Sequence, residues 1–153
     1  MDEAQRYDAF MKRLEELYPR AMRNVYCGVS INEGWFHIIE ALVKNIHQHI
    51  KWKRKMRARE LVNQRKRNDT IDVTEYVSHI EIHQIKEKFG GLRFYYEGGD
   101  EQVHGMVRMA EAWADSTCEL CGTRGSLRTG GWVKNLCDAH EKERQERYKD
   151  ARV

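Results

Sequence analysis

From Asp2 to Tyr18 the apolar residues Tyr7, Phe10, Met11, Leu14, Leu17 and Tyr18 recur at spacings of three and four, which places them on one face of an amphipathic helix. Pro19 ends or kinks that helix, because it carries no backbone N–H and restricts the residue before it. Residues Tyr26 to Asn32 have no helical period and read as a connection. Asn32 is the expected N-cap of the next helix, with Glu33 in its first turn. Beyond it, Trp35, Ile38, Ile39, Leu42, Ile46 and Ile50 trace a second stripe. The stripe continues less regularly through Trp52, Met56, Leu61 and Val62, so one long helix is expected over 33–67.

Asn68, Asp69 and Asp72 supply turn chemistry, and the β-branched residues Val73, Thr74, Val77, Ile80, Ile82 and Ile85 favour extended structure. The phrase FGGLRFYYEGGD then predicts a hairpin over 73–97. A two-residue turn at Gly90 and Gly91 pairs Phe89 with Leu92 and sets Glu87 opposite Phe94. In that register Ile85, Phe89, Leu92, Phe94 and Tyr96 share one face, a floor for helices to pack on. Asp100 caps a helix over 100–115, in which Val103, Met106, Val107, Ala110, Trp113 and Ala114 repeat at helical spacing. A final charged helix runs from Asp138 to Lys149. The expected fold is α+β: helices on one face of a small antiparallel sheet over residues 1–115, and a metal-binding module over 116–153.

Composition narrows the class. Of 153 residues, 41% are apolar and 33% charged, enough for a core beneath a charged surface, which argues against a disordered chain. No run approaches eighteen apolar residues, so no membrane helix is expected. The start MDEAQRYDAF lacks a basic-then-apolar pattern, and a reducing cytosol is the expected location. The net charge of +3 conceals a division: residues 51–67 hold nine Lys or Arg and one acid, Glu60, whereas the rest of the chain is acidic. Segregated charge suggests a directed interaction.

Cys118, Cys121, Cys137 and His140 spell C-x2-C, fifteen intervening residues, then C-x2-H. Each pair lets two side chains from one tight turn reach a single ion, the spacing of a zinc-ribbon or treble-clef-like tetrahedral zinc site. Gly122 suits the reversal after the first pair, and Gly125, Gly130 and Gly131 make the loop between the pairs turn-rich. Four ligands leave no open position for water, so one structural Zn2+ is expected, in place of a core that a short segment cannot build. Disulfides are the alternative, but the paired spacing and the histidine fit a metal better. Cys27 is not needed for the site and is expected to be a small buried residue.

The phrases INEGWFHIIEAL, IKEKFGGLRFYYEGGD, MAEAWADSTCELCG and GWVKNLCDAH together resemble a family of small, largely uncharacterised proteins encoded by bacteriophages and prophages. The resemblance spans roughly residues 32–140, interrupted by the basic segment. It implies a phage-associated zinc protein of the bacterial host cytosol, with Cys118, Cys121, Cys137 and His140 as ligands. It supplies no activity. A phage setting raises the prospect of a protein that modulates a host complex or counters host defence, by analogy alone.

Three functions compete. Nucleic-acid binding would use Lys51, Lys53, Arg54, Lys55, Arg57, Arg59, Arg65, Lys66 and Arg67, helped by Arg124, Arg128 and Lys134 on the metal-binding loop, to displace counterions from phosphates. Trp52 within the run offers a ring on which an unpaired base can stack. The plainer alternative is a solvated helix with Trp52 packed on the domain. A protein-binding module, such as an inhibitor of a host complex, would use Tyr95, Trp132 and Tyr148 as anchors; alternatively Tyr95 and Trp132 close the small core. Catalysis has its best candidates in His79, Glu81 and His83, which alternate onto one strand face, but cross-strand charge pairing explains them more simply. No nucleophile motif, phosphate loop or small-molecule site is evident. The expectation is therefore non-catalytic recognition, with nucleic acid favoured over a host protein complex.

Overall fold

A computed structural model of the chain describes residues 1–70 and 76–150. Helix α1 (Glu3–Leu17) is opened by Asp2 and Gln5 in a reciprocal capping box, and Pro19 sits at the first position of a short α2 (Pro19–Met22), where its missing N–H costs nothing. Strand β1 (Val29–Ser30) leads to a single 3-10 turn, Glu33–Trp35, and then to α3 (Phe36–Arg67). Strands β2 (Ser78–Lys88) and β3 (Gly91–Gly99) form the hairpin, followed by α4 (Glu101–Ala114). A small hairpin of β4 (Ser126–Arg128) and β5 (Lys134–Leu136) precedes α5 (Asp138–Asp150).

The fold is α+β, as the periodicities imply, but the main sheet is mixed rather than antiparallel. Its order is β1-β2-β3, with β1 parallel to β2 and β2 antiparallel to β3. Val29 and Ser30 carry no alternation to announce a strand; β1 exists because Ile85 and Lys86 lie alongside it. The core is built from Phe10 and Leu14 of α1, Trp35, the α3 stripe from Ile38 to Ile50, Ile80, Ile82 and Ile85 of β2, Leu92 and Phe94 of β3, and Val103, Val107, Ala110 and Ala114 of α4. Phe36 stacks on Phe10 at 4.1 Å between ring centroids, joining α1 to α3.

The hairpin corrects the expected register. Lys88 pairs with Gly91, Glu87 with Leu92 and Ile85 with Phe94, so the turn residues are Phe89 and Gly90, not the two glycines. Both adopt positive φ, 55° and 77°, as a primed two-residue turn demands. Phe89 accordingly leaves the expected apolar floor and is 73% exposed. Two irregularities in β2, one after Ser78 and one between Ile82 and Gln84, absorb extra residues. The second lets Ile82 and Ile85, three apart, both face the core. The expected strand residues Val73 and Thr74 and the turn residue Asp72 lie outside the described residues.

The α3 stripe also ends earlier than the sequence suggests. Ile50 is its last buried residue; Trp52, Met56 and Val62 are exposed. Residues 51–67, about 25 Å of helix at 1.5 Å per residue, therefore form an arm with no buried position. It ends at Asn68 in the left-handed conformation (φ 58°), with the Asp69 N–H donating to the Gln64 carbonyl. Among the described residues, no helix is long and apolar enough to cross a membrane.

Candidate metal centre

The segment after α4 brings its two ligand pairs together by backbone turns. The Cys118 N–H donates to the Thr123 carbonyl and the Gly122 N–H to the Cys118 carbonyl, and Gly122 takes φ 74°, a conformation that favours glycine. This tight turn holds Cys118 and Cys121. Cys137 closes β5, and His140 stands in the first turn of α5, so a sheet hairpin and a helix start present the second pair. The four ligand atoms all lie within 4.8 Å of one another.

Three of the six separations match the edges of a tetrahedron around one ion. Zn–S bonds near 2.3 Å and Zn–N bonds near 2.0–2.1 Å imply edges of about 3.8 Å between sulfurs and about 3.5 Å between sulfur and nitrogen. Cys121 Sγ is 3.9 Å from Cys137 Sγ, and His140 Nδ1 is 3.4 Å from Cys118 Sγ and 3.3 Å from Cys137 Sγ. A disulfide would need about 2.05 Å. All four cysteines of the chain are unpaired thiols. The donor set and its edges are consistent with a structural metal site such as zinc.

The surroundings favour thiolate at Cys137 and oppose it at Cys118. The His140 backbone N–H, together with the Thr123 hydroxyl, lowers the Cys137 thiol to a pKa of about 6. Cys118 is fully buried, and that burial raises its thiol, against backbone N–H groups of Cys137, Cys121 and Leu120 that point at its sulfur. A bound cation would supply the charge that offsets this desolvation.

The centre is clamped to the start of α3. The Gly34 N–H donates to the Glu119 carbonyl at 2.9 Å, and the fully buried Trp35 ring donates its Nε1–H to the Thr117 carbonyl at 2.9 Å. A Cβ on Gly34 would stand 2.2 Å from the Cys118 carbonyl oxygen, so only glycine admits the approach. Glu119, between the two cysteines, is completely buried. It accepts from the Asn32 side chain (2.9 Å) and the Asn135 N–H (3.3 Å) and forms an ion pair with Lys134. Asn32 thus serves the clamp and makes no side-chain cap on the helix, contrary to expectation. Neither Glu119 nor Gly34 was singled out by sequence pattern. The nearest signal was the pairing of an NEGW phrase with an acid inside C-x2-C.

The other candidate residues are dispersed. On the arm, Lys51, Lys55, Arg59, Arg65 and Lys66 are exposed and in no ion pair among the described residues; Lys53 and Arg57 are half-buried. Arg54 stacks on Tyr76, and Arg67 pairs with Glu60 (3.1 Å) and Asp69 (2.8 Å). On the metal-binding loop Arg124 is exposed, but Arg128 bonds Asp138 and the Leu136 carbonyl, and Lys134 is committed to Glu119. Those last two charges therefore serve the module's own structure.

His79, Glu81 and His83 do not assemble into a cluster. Glu81 is held by Arg23 (2.8 Å) and Asn24, whose bonds lower its pKa, and His83 faces the Tyr26 ring and Glu97. Burial, aided by Arg54, Arg20 and His47, lowers the His79 pKa. Among the described residues Cys118, Cys121, Cys137 and His140 are the one group of three or more that could hold a metal ion. Cys27 is exposed rather than buried, because it lies on the surface connection before β1. Tyr95, Trp132 and Tyr148 are also exposed, so Tyr95 and Trp132 do not close a core. No protein-family model, curated protein or solved structure matches the chain.

Proposed function

We propose that this is a zinc-stapled, non-catalytic nucleic-acid-binding protein. In this reading one structural Zn2+ sits between Cys118, Cys121, Cys137 and His140 in a treble-clef-like module, and the solvated half of α3 is the binding element. The observation that carries it is the arm: seventeen residues without a buried position, on which Lys51, Lys55, Arg59, Arg65 and Lys66 enter no ion pair among the described residues. A helix half without a buried position and so weighted with cations suits a polyanion, whose condensed counterions it would release on binding. Arg124 is available to extend the contact.

Neutralising about five phosphates gives a slope of log K against log salt near −4.5 for duplex and near −3.5 for a single strand. Changing those five residues to Gln should reduce the slope by about 4.5, or about 3.5 on a single strand, while leaving the thermal midpoint nearly unchanged. Unaltered affinity and slope in the folded variant would refute the reading.

A second reading, a protein-binding modulator of a host complex, is favoured by one feature. The hairpin tip exposes Phe89 next to the small β4–β5 hairpin, which exposes Leu127 and Trp132, with Gly90 packed against Leu127. A stoichiometric partner from nuclease-treated bacterial lysate, lost in a Phe89→Ser, Trp132→Ser variant, would put this reading first. Failure to recover one would count against it.

A further inference from the structure

The basic half of α3 and the segment at Tyr76 and Val77 wall an open groove of about 700 Å3, within the usual size range of ligand pockets. Trp52 and Met56 stand on the helix wall and Tyr76 on the other, with Trp52 56% and Tyr76 62% exposed. Large aromatic rings on opposite walls of a groove are costly to leave in water and are the usual platforms for planar ligands.

The charges in the groove favour an anion. Its acids are already engaged: Asp100 bonds His49 at 2.8 Å and caps α4, and Glu60 pairs with Arg67. Of its cations, Lys53 and Arg57 have no ion-pair partner among the described residues, and a buried Nη2 of Arg57 finds no acceptor there. The Arg54 guanidinium lies 4.8 Å from the centroid of the exposed Tyr76 ring, so a cation already accompanies an aromatic surface in the groove.

We infer that this groove is a stacking site for unpaired bases, so that the ligand of the arm is single-stranded nucleic acid rather than duplex. The inference rests on the nucleic-acid reading and narrows it. Trp52 and Tyr76 take base faces, which a duplex keeps stacked within itself, and Lys53 and Arg57 take the phosphates between them. Stacking of this kind tolerates any base, and phosphate contacts carry no sequence information, so little sequence preference is expected.

The test measures binding of the whole protein to fluorescein-labelled dT20, U20 and a 20-base-pair duplex at one low salt concentration, with Trp fluorescence followed in parallel. Single strands should bind at least tenfold more tightly than duplex and quench Trp emission. Trp52→Ala and Tyr76→Ala should each weaken single-strand binding about tenfold and leave duplex binding unchanged. Trp52→Phe, which keeps a ring, should recover most of the loss, and Trp132→Ala should change nothing. A preference for dT20 over U20, or the reverse, assigns the source as DNA or RNA within the same inference. Equal affinity for duplex, or a Trp52→Ala variant that binds single strands normally, overturns the stacking site while leaving the arm as a general polyanion binder. No binding to any of the three overturns both.

Discussion

At the scale of single residues, Glu119 has the largest structural consequence for its size. Its carboxylate ties Asn32, Lys134 and the Asn135 N–H to the middle of the first cysteine pair. Glu119→Ala would leave three donors without their acceptor, the Asn135 N–H among them buried, and urea unfolding should show a loss of about 2–4 kcal/mol. Glu119→Gln, which can still accept, should lose less than half of that. Phe89 poses the opposite case, a bulky residue at φ 55° that an Asn tolerates better. Phe89→Asn creates the preferred Asn-Gly turn and should raise stability by about 1 kcal/mol in the same assay; a decrease would mean that the exposed ring is packed in solution. These residues explain where pattern reading fails. An acid inside C-x2-C has no period, and an aromatic beside two glycines looks like core until the turn is seen to need it one position earlier.

At the scale of elements, α3 combines two helices' worth of physics. Its first half is anchored by a stripe from Ile38 to Ile50, and its second is held by propensity and by the Asn68 cap, with Arg67 keeping a cation in the last turn when Arg65 and Lys66 are replaced. The five Gln substitutions should therefore alter nucleic-acid retention without altering folding, a separation that a buried stripe would forbid. Helix α4 depends on Asp100, whose side chain accepts from the Val103 N–H at 3.1 Å and from His49. Burial pushes the Asp100 carboxyl up, but the His49 and Val103 bonds and the nearby Lys53 outweigh it and hold the pKa below its ordinary 3.8. Stability from a depressed carboxyl is complete above that ordinary value and is lost as pH falls through the lower folded value. Asp100→Ala should thus cost about 1 kcal/mol at pH 6, and urea midpoints of the two proteins should converge as pH drops below about 4. A constant gap down to pH 2 would show that the carboxylate charge is not what matters. The helices were legible because a 3.6-residue period repeats over several turns. Strand β1 was not, since two residues carry no period, and the bulges in β2 surface only when Ile82 and Ile85 are required to share a face.

At the scale of the whole molecule, the C-terminal segment lacks a core of comparable size and is secured from two sides, by its own ligand cluster and by the clamp to Gly34 and Trp35. The cluster of Cys118, Cys121, Cys137 and His140 was legible in the sequence because its two pairs leave their spacing in the chain. The clamp was not, because it joins residues more than eighty positions apart. The clamp sets the cluster against the start of α3, the end of that helix opposite the cationic arm. The metal content of the purified native chain, together with its zinc-edge X-ray absorption spectrum, decides whether the cluster holds an ion. We predict one zinc per chain in a shell of three sulfurs and one nitrogen, lost with unfolding of the C-terminal segment in Cys118→Ser. A fully folded protein without metal, or one whose structure is unchanged after complete chelation, would contradict it.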